Sequence, residues 1–130
     1  GEELSNAIQT LRAELIKKGE TTEIFAQERE KGSVEGIVGN VMQSFGGKPL
    51  YVSIEEKAAH LLYFMVKNHP FTDGNKRSGA FAFVWFLRKF QTKGSRNINP
   101  ASLTALTLLI AESDPKKKEQ MAALVTQLLK

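Results

Sequence analysis

Cysteine is absent from these 130 residues, which excludes disulfides and thiolate metal sites. Long apolar runs are missing too. The longest, residues 79–87, falls far short of the roughly 20 residues a membrane-spanning helix needs, and no signal-peptide pattern appears. A cytoplasmic location is the expectation that follows. Histidine is scarce: His60 and His69 stand nine positions apart, a spacing that matches no common zinc site. Gly47-Lys48 is no P-loop, because Met42 stands where that motif needs glycine and Pro49 where it needs Ser or Thr. No internal repeat or low-complexity tract is visible. What is present, 42% hydrophobic and 25% charged residues, suits one globular domain over 1–130 with a real core and no room for a second. The net charge of +4 favours anionic ligands without indicating nucleic acid. The first residue is Gly rather than Met, which suggests a piece excised from a longer protein.

The pattern along the chain is helical. Leu4, Ile8, Leu11 and Leu15 form one stripe that stops near Gly19. Two repeats of that spacing are too few for a coiled coil, so core packing is the better reading. A second helix is expected over 22–30, interrupted by Lys31-Gly32-Ser33, and a third from Ser33 to about Ser44. Gly36 and Gly39 inside it carry no assigned chemistry. Ser53 and Glu56 have the spacing of a capping box, which starts a helix reaching Asn68 with Ala58, Leu61, Leu62, Met65 and Val66 along its buried side. The segment 78–90 reads as a buried helix whose first turn sits near Asn75 to Arg77. Asn99-Pro100 and Asp114-Pro115 each set a capping residue before proline, predicting helices over about 100–112 and 115–129.

Between the two central helices lies His69-Pro70-Phe71-Thr72-Asp73-Gly74-Asn75-Lys76-Arg77. A helix start already carries about half a positive charge and unsatisfied N–H groups, yet Lys76 and Arg77 add two cations there. An anion in the loop would resolve the conflict, since glycine-exposed amides at a helix start are a standard phosphate site. Asp73 is a hard oxygen donor of the kind that holds a divalent cation bridging phosphates. His69 is the side chain of the stretch that exchanges a proton near neutral pH. A plainer reading stands beside this one. Asn75 or Asp73 serves as an N-cap, His69-Pro70 merely ends a helix, and Lys116 to Lys118 follow Pro115 with no site implied.

These residues resemble the core of the Fic family, whose pattern is H-x-F-x-D/E-G-N-G-R-x-x-R, and also the related death-on-curing toxins, which carry N-K-R. The resemblance covers at least residues 33 to 90. Its stretch from Phe45-Gly46-Gly47-Lys48 through Ala58-Ala59, then Leu61-Leu62-Tyr63-Phe64, is similar to the Fic domain at the C-terminus of RhuM-like virulence-associated bacterial proteins. The resemblance implies an all-α, Fic-type helical bundle with a short β-hairpin flap, in which Lys48, Pro49, Leu50 and Tyr51 align a target segment. It implies a protein phosphotransferase or adenylyltransferase that uses Mg²⁺ and ATP, or another nucleoside triphosphate, to modify a hydroxyl of a target protein. His69 would be the general base and Asp73 the metal ligand. Gly74, Asn75 with its side chain, Lys76 and Arg77 would bind phosphates. An antitoxin or upstream domain is an implied partner, and no membrane is. Two positions depart from the adenylyltransferase pattern: Lys76 replaces a glycine and Ala80 replaces the second arginine. The death-on-curing kinases share both departures, which puts phosphoryl transfer ahead of AMP transfer. The family's inhibitory S/T-x-x-x-E-G/N helix is not matched, since Leu15 follows Thr10 to Glu14 where Gly or Asn is required.

Overall fold

Ser53 accepts the Glu56 N–H at 3.0 Å and starts α3 (Ile54–Lys67), the helix around which the chain packs in this computed structural model. Residues 2–19, 26–30, 32–42, 44–45, 48–49, 53–71, 73–90 and 98–129 are described. Six α-helices lie among them. Ala58, Leu61, Leu62, Met65 and Val66 of α3 are all buried, as their spacing requires.

Against α3 lies α4 (Asn75–Lys89), which buries Ala82, Phe83, Phe86 and Leu87. Gly79 sets how closely the two approach. A Cβ there would lie 3.3 Å from both Met65 Cβ and Val66 Cγ2. Gly79→Val therefore forces the helices apart, and overpacking of this kind costs about 1–3 kcal/mol. The expected result is a lower urea midpoint with an unchanged slope.

Helix α1 (Glu2–Lys17) buries Leu4 and Ile8 fully and rests Leu15 against the core, so its stripe is used within this chain. Helix α2 (Ser33–Met42) turns Val34, Ile37 and Val41 inward. Its Gly36 and Gly39 allow no close approach, because a Cβ at either would meet nothing within 4 Å. Each gives up about 1 kcal/mol of helix propensity relative to alanine.

On the other side of α3, Asn99 accepts the Ala101 and Ser102 N–H groups and begins α5 (Pro100–Glu112). Asp114 likewise caps a 3₁₀ turn, Pro115–Lys117, that runs into α6 (Lys118–Leu128). Leu103, Ile110, Met121 and Val125 complete the core from this side. His60 is packed beneath α6, with Nδ1 2.8 Å from the Glu56 carbonyl and Nε2 3.6 Å from Glu119. Burial, then the charge of Asp114, push the Tyr63 phenol up from its ordinary pKa.

Two expectations change. Residues 26–30 are not helical, although a helix was expected over 22–30, whose first residues lie outside those described. Ala26 is buried with φ 54°, and the segment forms an antiparallel bridge between Glu28 and Phe71. Pairing with a distant loop overrides local helix preference here. The second concerns the flap. Ser44–Phe45 (β1) pairs antiparallel with Lys48–Pro49 (β2), two residues on each side. No flap is seen beyond that pairing among the described residues, and Leu50 and Tyr51 lie outside them.

Candidate functional site

Helix α3 ends at Asn68, whose N–H still bonds the Phe64 carbonyl. His69 follows in the left-handed region at φ 50°, a position that glycine or asparagine normally fills. Pro70 explains why the helix stops, since its ring disfavours the right-handed conformation before it. The result is an exposed imidazole on a strained turn. Such outliers persist where the surroundings hold them, and here the surroundings are well defined. Phe71 is fully buried and pins the loop to the core.

The loop is held along both edges. Asn75 Oδ1 accepts the Phe71 N–H at 2.9 Å, and Asn75 Nδ2 donates to the Phe71 carbonyl at 3.0 Å. From the N-terminal side, the Ala26 N–H donates to the Asp73 carbonyl at 3.0 Å and the Arg29 N–H to the Pro70 carbonyl at 2.9 Å. Arg29 Nε reaches the Phe71 carbonyl at 3.2 Å. Gln9 of α1 in turn donates to the Ala26 carbonyl, so the first helix braces the loop through the segment 26–30.

Oδ1 and one hydrogen of Nδ2 are thus engaged within the loop, which leaves the second Nδ2 hydrogen and the backbone N–H to offer a ligand. Asn75→Ala strands the N–H of a buried residue, which costs about 1–3 kcal/mol. Thermal unfolding should show that loss.

Gly74 is the N-cap of α4, at φ 82°, ψ 23°, and no side chain caps the helix. A left-handed residue followed by a right-handed one turns successive N–H groups to one side, the backbone arrangement of an anion nest. Neither Asp73 nor Asn75 is the N-cap. Lys76 and Arg77 occupy the first turn and are exposed. The uncapped start and its two cations are therefore left facing outward together.

They face a cleft of about 660 Å³ lined by His69, Asp73, Gly74, Asn75, Lys76 and Arg77. All six residues expected at the catalytic and nucleotide site are brought together. The side chains of Lys48 and Pro49 lie outside those described. The far wall, Ala111 and Glu112, was missed by the sequence reading. Lys67 places it: its Nζ donates to the Ser113 carbonyl at 2.6 Å and the Ala111 carbonyl at 3.4 Å, tying the end of α5 beside the end of α3. A signal was present, because a carboxylate in the last turn of a helix opposes the helix dipole and so asks for another reason to be there.

The donor set suits magnesium only in company. Among the described residues no three His, Cys, Asp or Glu side chains gather as a metal cluster. Asp73 is one hard carboxylate exposed in the cleft, which fits an ion that takes one or two protein carboxylates and completes its shell with phosphate oxygens and water. Among the described residues no helix is long and apolar enough to cross a membrane.

Comparison with known proteins adds one finding. A family model described as the Fic/DOC family matches residues 4–87, well over half of the chain and including the whole motif loop. No curated protein and no solved structure matches the chain.

Proposed function

This chain belongs to the Fic/DOC family, and we propose that it transfers the γ-phosphoryl group of ATP, or of another nucleoside triphosphate, to a hydroxyl of a target protein. Transfer of a nucleotide-derived group to proteins is what membership implies. The observation that carries the finer reading is the single cleft joining His69 and Asp73 to the uncapped start of α4 with Lys76 and Arg77.

In this reading the amides of Gly74 to Lys76 bind phosphate oxygens, and Lys76 and Arg77 offset charge as it builds on the transferring group. A magnesium ion held by Asp73 would supply further charge neutralisation on the phosphates. Neutral His69 accepts the proton of a Ser, Thr or Tyr hydroxyl as that oxygen bonds to the γ-phosphorus and the bond to the β-phosphate oxygen breaks, releasing the nucleoside diphosphate.

Phosphoryl transfer is preferred to AMP transfer because of Lys76 and Ala80. Ala80 sits one turn into α4 and packs partly buried against the core, so that position puts no second cation over the phosphates. AMP transfer, with attack at the α-phosphorus and release of pyrophosphate, follows closely.

ATP labelled separately at the α- and γ-positions, with Mg²⁺ and bacterial lysate as acceptor, tests the reading. Label from the γ-position on protein is expected. Label from the α-position would replace it with AMP transfer. No label from either position would leave a nucleotide-binding interaction module, a catalytically inactive form acting through an upstream domain or an antitoxin-like partner.

A further inference from the structure

The packing leaves Gly36 unexplained. It lies inside α2 without a positive φ, where glycine is a weak helix former, and a Cβ added there would touch nothing within 4 Å. What the missing side chain keeps open is a second groove of about 550 Å³ between α2 and the end of α3. Ser33, Gly36 and Asn40 line it from one face of α2, being three and four residues apart, and Asn68 and Arg29 line it as well. His69 belongs to both the groove and the cleft.

The two cavities differ in chemistry. The cleft holds the helix start, Lys76 and Arg77. Among the described residues that line the groove, Arg29 is the one Lys or Arg, its Nε already given to the Phe71 carbonyl, and Glu30 is an acidic neighbour. It is a poor place for a phosphate chain. The Asn40 and Asn68 amides each offer donors and an acceptor, the complement of a peptide main chain. With a donor nucleotide in the cleft, the groove remains as an approach to His69 among the described residues.

We propose that the α2 groove seats the acceptor, an extended polypeptide segment whose hydroxyl side chain reaches His69 while Asn40 and Asn68 hydrogen-bond its main chain. This rests on the transferase reading above, and it names the surface and substrate class that reading leaves open. Gly36 keeps the groove clear, and a large side chain there blocks the segment without disturbing the core.

Amide-resonance mapping with a pool of short synthetic peptides centred on Ser, Thr or Tyr tests this on the whole chain. Peptide is expected to shift Ser33, Gly36, Asn40 and Asn68, and Mg²⁺-ATP to shift Gly74 to Arg77. Gly36→Trp should weaken peptide binding about tenfold or more and leave the ATP shifts as they were, with the smaller Gly36→Gln falling between. The proposal is overturned if peptides shift other residues or none, if Gly36→Trp binds them like the parent, or if ATP itself shifts Gly36 and Asn40. Peptides that dock in the groove but take no label from ATP would sink the transferase reading and leave the docking surface standing.

Discussion

His69→Ala should lower protein labelling by about 10²–10⁴-fold, the usual contribution of a general base, and should leave ATP binding in place. The separation follows from geometry. In the proposed reading phosphate is held by the amides at Gly74 and beyond, with Lys76 and Arg77, whereas His69 enters the cleft from the end of α3. The side chain is exposed, so its removal empties no core. Alanine also keeps a Cβ, so the backbone cost of the left-handed turn at φ 50° is retained and the loop is not relaxed into a new shape. Single-turnover labelling beside a titration of ATP binding measures both halves. Unchanged labelling would mean that the proton goes elsewhere, and lost ATP binding would mean that His69 holds the loop rather than the proton.

Phe71→Ala is expected to remove about 3–5 kcal/mol of stability, the range for deleting a buried aromatic ring. Total stabilities are typically about 5–15 kcal/mol, so this one change brings the protein close to unfolding. The ring is fully buried. The backbone of the same residue carries both Asn75 hydrogen bonds and the Arg29 Nε bond, so the loss is felt at the loop that presents His69 and Asp73. Urea unfolding gives the first effect. Loss of ATP binding at temperatures where the fold survives gives the second. Phe71→Leu, which keeps most of the apolar volume, should restore much of both.

The helices were legible where their starts are written within a few residues. Ser53, Asn99 and Asp114 each cap from their own side chains, and the spacing alone announces them. Gly74 was harder to read, because Asp73 and Asn75 beside it are better capping residues by type. What decides is the left-handed backbone at Gly74 and the use of the Asn75 amide on Phe71, four residues back. Residues 26–30 could not be read at all from local pattern. The partner of Arg29 is Phe71, 42 positions away, and no periodicity encodes a contact at that distance. The far wall of the cleft was hidden for the same reason, since Lys67 meets Ser113 across 46 positions. Cleft-lining residues that share one stretch of chain were legible, and those delivered by tertiary pairing were not.

The tether from Lys67 to the end of α5 bears on where this protein can be cut. The family match ends at Leu87, which invites a minimal version stopping soon after α4. That version would keep every motif residue and still lose the wall formed by Ala111 and Glu112. It would also lay open the face of α3 that Leu103, Ile110, Met121 and Val125 cover, and leave the Lys67 ammonium without the carbonyls that hold it two residues before His69. The border of recognisable sequence runs through the middle of one core, so the smallest piece that carries the motif is smaller than the smallest piece that can keep it in shape.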